Sequence, residues 1–325
     1  MKAIVYRTYG PPDVLHLEDV EKPSPGDDEV LIKIRATAAN PMEYHLMGGT
    51  YIMRPMTGLL KPKPTRPGVD LAGEVEAIGK NVTRFRPGDA VFGVARGAFA
   101  EYACAPENKL AVKPVNVTFE QAAAIPVAGS TALQGLRDKG RIQADQSVLI
   151  NGAAGGVGTF AVQIAKAFGA EVTGVCTTGS VDLVRSIGAD HVIDYTHDDV
   201  TRGAMRYDLI FDCVGNHSLA AWRRVMPAKG TFVAAGVRPG GRRTGPLSYL
   251  LKLYVSSRFV SQSVVFFVAS ITPADLTILK ELAEANKVTP VIDRRFSLSE
   301  APEAIGYLKH GHTRGKVVMT VEHGP

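Results

Sequence analysis

Cysteine is scarce in this chain, tryptophan scarcer still, and long apolar runs are absent. Of 325 residues only three are cysteines, Cys104, Cys176 and Cys213, scattered and odd in number. They supply neither a disulfide framework nor a metal-binding spacing, so a reducing cytoplasm is the expected setting. No apolar stretch reaches the about 18 residues that a membrane-spanning helix needs. The opening Met1-Lys2-Ala3-Ile4-Val5-Tyr6 reads as a first strand, and neither the apolar segment nor the cleavage site of a signal peptide follows it. Repeats and low-complexity segments are missing too. Basic residues outnumber acidic ones 37 to 32, a net charge of +5. Lysine and arginine are spread out, and the one cluster, Arg238 to Arg243, lies in a Gly/Pro loop. Neither a membrane nor nucleic acid is therefore expected as a main partner.

What the chain does concentrate, at one place, is glycine. NGAAGGVG, residues 151–158, holds four glycines in eight positions. Glycine costs about 0.5–1 kcal/mol against alanine inside regular structure, so this density needs a reason. Ser147-Val148-Leu149-Ile150 before it is an apolar run of strand length. After it, Val157, Phe160, Ala161, Ile164, Ala165 and Phe168 recur at helical spacing. A strand that enters a helix through glycines can bring backbone N–H groups against a phosphate. In dinucleotide register the diagnostic positions fall on Ala153, Gly155 and Gly158, with Gly156 and Val157 between them, so an alanine stands at the first glycine position.

The surroundings favour a ligand over an ordinary glycine turn. Residues up to about 120 read as short strands, with EVLIKIRATA (29–38), GEVEAIG (73–79), DAVFG (89–93) and AFAEYACA (98–105) separated by turn signals. Beyond them, strands at 147–151, 171–176, 191–195, 208–213, 230–236 and 264–269 alternate with helices at 157–168, 180–187 and 218–226. The tail adds helices at about 273–286 and 300–310 and a last strand, Lys316 to Val321. The expected class is α/β, a β-rich domain joined to a doubly wound nucleotide-binding sheet.

The second strand of that sheet reports on the cofactor. It ends Val175-Cys176-Thr177-Thr178-Gly179-Ser180, without the Asp or Glu that usually binds the ribose hydroxyls of NAD. Thr178 and Ser180 can donate to a 2′-phosphate that a carboxylate would repel, so NADPH is expected. The alternative for these hydroxyls is to cap the following helix.

NGAAGGVG, GADHVIDY (188–195), FDCVG (211–215), GTFVAAG (230–236) and RGKVVM (314–319) together resemble the medium-chain dehydrogenase/reductase superfamily, in its zinc-independent quinone oxidoreductase (zeta-crystallin-like) branch. The likeness spans nearly the whole chain. It implies a GroES-like catalytic domain from both ends of the chain, residues 1–121 and 271–325, around a Rossmann domain at 122–270. Where the zinc branch carries Cys and His-Glu, the corresponding positions are Asn40 and Val69-Asp70, and the four-cysteine lobe is absent. No metal is expected, because these residues cannot build the usual N/S site. Without a Lewis acid the suitable acceptors are electron-poor ones, quinones and α,β-unsaturated carbonyls. The expected enzyme passes a hydride from NADPH to such an acceptor. Relatives form dimers through the last sheet strand, so a homodimer is expected. The rival readings are an NAD(P)-dependent alcohol or carbonyl dehydrogenase and a non-catalytic NADPH-binding or RNA-binding protein of the same fold.

The resemblance also names site candidates. Asn40 matches an Asn lining the nicotinamide pocket, and its amide can donate to a substrate carbonyl; its bland alternative is a turn before Pro41. Tyr51 matches a pocket tyrosine and is the first choice for hydrogen-bonding or protonating the substrate, with Tyr44 and His45 behind it, although a tyrosine among apolar loop residues commonly packs. Thr131 resembles a contact to the nicotinamide amide, and Tyr195 one to the adenosine phosphate. Val214-Gly215 and Gly236 close the fourth and fifth strands, where backbone approaches the cofactor. Lys316 is placed near the nicotinamide end, against the alternative of a solvated lysine at a strand start.

Overall fold

The computed structural model describes residues 1–49, 54, 58–63, 65–236 and 247–323. The chain divides into two compact units, one of Met1–Ser130, Ile271–Asn286 and Pro290–Pro325, the other of Thr131–Ser270 and Lys287–Thr289.

The first unit opens with β1 (Lys2–Val5) and β2 (His16–Asp19), an antiparallel pair. Next come β3 (Glu29–Ala39), helix α1 (Pro41–Met47), β4 (Asp70–Ile78), β5 (Ala90–Val94), β6 (Tyr102–Pro106) and β7 (Leu110–Val112). β3 alternates as expected, with Val30, Ile32 and Ile34 buried in the core. The strand expected over 98–105 is two pieces. Residues 99 and 101 bond to β1 (Ile4 N–H to Phe99 O 2.8 Å, Glu101 N–H to Lys2 O 2.9 Å), and pairing with β3 begins at Tyr102. Two helices follow, α2 (Phe119–Ala123) and α3 (Pro126–Gln134).

The second unit is a six-stranded parallel sheet: β8 (Ser147–Asn151), β9 (Glu171–Cys176), β10 (His191–Asp194), β11 (Leu209–Asp212), β12 (Thr231–Ala234) and β13 (Ser263–Phe266). Its order is β10-β9-β8-β11-β12-β13. This is the doubly wound arrangement, whose switch point lies between its first and fourth strands. The helices are α4 (Gly156–Ala167), α5 (Val181–Ser186), α6 (Leu219–Trp222) and α7 (Leu247–Ser257). Of the face expected on α4, Phe160, Ala161, Ile164 and Ala165 are buried, Val157 and Phe168 at its two ends are half-buried, and Val162 and Gln163 on its other side are buried as well. Gln163 escapes the cost of burial because its amide exchanges two hydrogen bonds with the Thr289 backbone, at 2.7 and 3.1 Å. Trp222 is fully buried beside Phe232 and serves as a core anchor. Helix α7 has no counterpart in the periodicity reading.

The tail returns to the first unit through α8 (Pro273–Glu284), β14 (Ile292–Ser297), α9 (Ala301–His310) and β15 (Lys316–Thr320). Its sheet runs β14-β15-β3-β4-β5-β7, with β6 paired to β3. β15 lies antiparallel to β3, Val317 opposite Ala39, and β3 antiparallel to β4, Ala38 opposite Asp70. This register brings Lys316, Asn40 and Asp70 to one level of three neighbouring strands.

Two glycines make opposite predictions. A Cβ at Gly158 would lie 2.0 Å from the Gly152 carbonyl oxygen, a backbone atom that no rotamer change moves. Gly306, inside α9, has no atom within 4 Å of its Cβ position. Gly158→Ala is expected to cost about 1–3 kcal/mol, and Gly306→Ala to be neutral or stabilising by up to about 1 kcal/mol. Denaturant midpoints of the two variants check both.

Candidate active site

In the second unit the glycine turn lies at the carboxyl end of β8. Gly155 caps α4 with extended backbone, and the first bond of the helix runs from Thr159 N–H to Gly155 O at 2.9 Å. The N–H groups of Gly156, Val157 and Gly158 precede that bond, so none has an acceptor within its own helix. They stand at the positive end of the helix dipole, in half-buried backbone at Gly155, Gly156 and Val157. A Cβ built on Gly155 meets only the Gly152 oxygen, at 3.4 Å, so the space above the turn is open. Open space beside a row of amides fits a diphosphate. Ala153 is buried beneath the turn, its N–H given to Val175 O at 3.0 Å.

The neighbouring strand ends complete this surface. Asp212, at the end of β11, is buried, and its Oδ1 accepts Val214 N–H and Gly215 N–H at 2.9 Å each and Asn151 Nδ2 at 2.8 Å. Burial raises this carboxyl above its ordinary value, and those donors oppose the shift. Its backbone oxygen accepts from Ala235 and Gly236, both at 2.9 Å. One aspartate thus holds two of the turns expected beside the cofactor. At the end of β9, the Thr178 hydroxyl lies 2.9 Å from that of Thr196, which donates to Asp194 Oδ1 at 2.7 Å. Hydrogen bonds from Thr178 and Thr196 keep the Asp194 carboxyl below its usual range. Ser180 is buried with its hydroxyl 3.4 Å from that of Thr177. Tyr195 is exposed and lines a cleft of 310 Å³ with His197, Asp199, Asn216 and His217. Thr131 is half-buried on α3. Burial pushes the Cys176 thiol up to about 11 and the Cys213 thiol further, so neither is a nucleophile at neutral pH.

In the first unit the strand register gathers a buried polar cluster. Lys316 is 4% exposed and not solvated. Its ammonium donates to Asn40 Oδ1 at 2.6 Å, Asp70 Oδ2 at 3.2 Å and the Ala39 carbonyl at 3.3 Å. Asn40 Nδ2 donates to Asp70 Oδ2 at 3.0 Å. Asp70 Oδ1 accepts Val127 N–H, in the first turn of α3, at 2.9 Å. Burial raises the Asp70 carboxyl, while the Lys316 charge and the Asn40 amide pull it down. Glu43, also buried, accepts Asn40 N–H through Oε2 at 2.7 Å, whereas its Oε1 has no hydrogen-bond partner among the described residues. Burial pushes Glu43 up to about 7, with Asp70 adding to the rise. Tyr44 and His45 follow on α1 with ring centroids 4.3 Å apart. Tyr44 packs against the core, and burial lowers His45 and raises Tyr44. Tyr51 lies outside the described residues.

Comparison with known proteins places this geometry. Residues 26–115 match the family model described as alcohol dehydrogenase GroES-like domain, and residues 187–319 that described as zinc-binding dehydrogenase. The chain is 35% identical over 336 residues to the 2-methylene-furan-3-one reductase of Solanum lycopersicum, covering 98% of this chain and 79% of that one. The chain belongs to the medium-chain dehydrogenase/reductase superfamily. It is equally similar, 35% over 336 residues with the same two shares, to the NADPH-dependent alkenal/one oxidoreductase, chloroplastic, of Arabidopsis thaliana. The solved quinone oxidoreductase of Coxiella burnetii superposes with a TM-score of 0.87 at 29% identity, over 99% of both chains. The GroES-like and Rossmann architectures of this superfamily are the two units described above.

The name of one matching model includes zinc, and the donors at the corresponding place do not fit that ion. An amide, one carboxylate and an ammonium occupy it, and the ammonium takes both the amide oxygen and a carboxylate oxygen. Sequence reasoning gave no role to Glu43, and treated Asp70 only as a missing ligand. The N-cap spacing Asn40-Pro41-Met42-Glu43 was a legible signal for Glu43. Nothing local signals that Lys316 meets Asn40.

Glu43 makes a pH prediction. Its folded value, about 7, lies above the ordinary 4.5, so the folded chain holds a proton that the unfolded chain releases first. Stability from this group is therefore full below about pH 4.5 and is lost as pH rises through 7, with a slope of at most about 1.4 kcal/mol per pH unit. Glu43→Gln, neutral throughout, is expected to match the unaltered chain in acid and to melt higher than it above pH 7. Thermal melts across pH measure the difference.

Proposed function

We propose that this chain is an NADPH-dependent reductase that transfers a hydride to a quinone or an α,β-unsaturated carbonyl without a metal ion. The observation that carries the reading is the place of Lys316 Nζ, 2.6 Å from Asn40 Oδ1 and 3.2 Å from Asp70 Oδ2. A tethered ammonium there leaves no ligand set for a Lewis acid, so the acceptor must already be electron-poor. Relatives named for a furanone reductase, an alkenal/one oxidoreductase and a quinone oxidoreductase support that acceptor class. The name of the Arabidopsis relative supports NADPH, as does the lack of an acid at the end of β9.

NADPH, when bound, supplies the hydride. The backbone N–H groups of Gly156, Val157 and Gly158 hold its diphosphate, and Gly155, whose own N–H donates to the Gly152 oxygen at 3.1 Å, leaves the space for it. Val214-Gly215 and Gly236 give it a close backbone wall, and Thr178, Ser180 and Tyr195 serve the adenosine end. The Asn40 amide donates to the acceptor oxygen on which negative charge develops. Tyr51 supplies a further hydrogen bond or the proton, with Tyr44 and His45 as second choices. Three cysteines without a disulfide support a reducing compartment, the cytoplasm. Among the described residues no helix is long and apolar enough to cross a membrane. β13, the last strand of its sheet, leaves Phe266 43% and nearby Val268 78% exposed, which supports a homodimer that continues the sheet there.

An NADPH-oxidation screen over benzoquinones, polycyclic ortho-quinones, cyclic enones and aldehydes, with and without EDTA, tests the reading. Turnover of quinones or enones unaffected by EDTA is expected; inactivation by the chelator, or turnover of aldehydes alone, overturns it. Gly155→Val has room in the folded chain but fills the space above the turn, so calorimetry is expected to show NADPH bound at least about tenfold more weakly. Light scattering is expected to give twice the chain mass, and a monomer at micromolar concentration rejects the dimer.

A further inference from the structure

The carboxamide of Asn40 is held from both ends. Its oxygen takes the Lys316 ammonium at 2.6 Å, and its nitrogen gives one hydrogen to Asp70 Oδ2 at 3.0 Å. Turning the amide over would set an NH₂ against an ammonium and an oxygen against a carboxylate. Two repulsive contacts would replace two charge-assisted hydrogen bonds, so one orientation is specified. Among the described residues, the second hydrogen of Nδ2 has only the Ala38 carbonyl near it, at 3.5 Å, beyond the ordinary range for an N–H···O bond. Lys316 itself has nothing to spare, since its three N–H groups face three acceptors. Asp70 is committed as well, with Lys316 and Asn40 on Oδ2 and Val127 N–H on Oδ1.

We propose that Asp70 and Lys316 are positioning residues that lock the Asn40 carboxamide in one orientation, so that its uncommitted N–H is the donor offered to the carbonyl oxygen of the acceptor. This deepens the reductase reading and rests on it. The two residues touch neither acceptor nor cofactor in this scheme; they act through Asn40. A fixed donor is worth more than a free one because it needs no reorganisation when charge develops on the acceptor. The pair therefore does for the amide what a coordinating ion does for a ligand: it decides which way the atoms point.

The competing account is that the pair only supports the fold, since it ties β15, β3, β4 and the start of α3 together. Asp70→Asn and Lys316→Met each leave one buried charge unpaired, and both are expected to melt well below the unaltered chain. Asp70→Asn/Lys316→Met carries no charge at either position, and its melting point is expected to return towards normal. Nothing then holds the Asn40 oxygen away from residue 70. The double variant is expected to lose about a hundredfold in kcat with a quinone or enone, while the NADPH Kd stays within about twofold. Lys316→Arg, which keeps the cation, is expected to recover part of the lost kcat. A restored melting point together with a kcat within about twofold of the unaltered chain overturns the positioning role.

A readout independent of turnover separates this proposal from the reductase reading. The side-chain amide resonances of Asn40, assigned from their loss in Asn40→Asp, are expected as a resolved pair with one hydrogen slow to exchange. In the double variant both hydrogens are expected to exchange fast. Identical Asn40 signals in the two proteins overturn the lock whatever the activity. Absent turnover in the unaltered chain, with the lock present, counts against the reductase reading alone.

Discussion

Two opposite charges withdrawn from water, the Lys316 ammonium and the Asp70 carboxylate, meet at 3.2 Å inside the first unit. Removing them from solvent costs several kcal/mol per ion, and their attraction offsets that only when the remaining donors and acceptors are satisfied. Here they are satisfied. Lys316 finds three acceptors, and Asp70 finds Asn40, Lys316 and the Val127 amide. The arrangement works at one strand register, Val317 opposite Ala39 and Ala38 opposite Asp70. A slip of one residue would turn each side chain to the opposite face and strand both charges. The cluster and the register therefore specify each other.

Glu43 is the cost that accompanies this order. It lies 4% exposed beside Asp70, accepts the Asn40 backbone amide with one oxygen, and leaves the other without a partner among the described residues. Burial disfavours the charged form of its carboxyl, and the nearby Asp70 carboxylate adds to that, which is why its proton is held to about 7. Its tolerated strain lies one helical turn from the amide that receives the acceptor in our reading, as is common where local stability is given up for a defined geometry.

The second unit meets its needs by other physics. No ion pair is needed at the glycine turn, where N–H groups at a helix start supply partial positive charge without a desolvation penalty of comparable size. The carboxylate that matters, Asp212, is buried and spends its Oδ1 on the Val214 and Gly215 amides and on Asn151, so it shapes the backbone of the turn.

How much was legible follows from the range of each interaction. Strand–turn–helix at 147–168 was readable because its period and its glycines are local, and the six-strand series because each element repeats that grammar. Helices α1 and α7 and strands β2, β7 and β14 have no counterpart in the periodicity: the three strands are only three to six residues long, and the burial of β2 and β14 does not alternate. Thr178 and Ser180 looked equivalent in sequence, yet one is exposed beside Asp194 and Thr196 and the other is buried against Thr177. By itself, then, the order of residues determined the class of fold, the glycine turn between β8 and α4 and which side chains stand at positions 40 and 70, since each rests on residue identity and short-range spacing. Only the tertiary structure decided that Lys316 is an internal cation. Its partners stand 276 and 246 positions away in the chain, and no pattern within β15 encodes which strand will lie beside it.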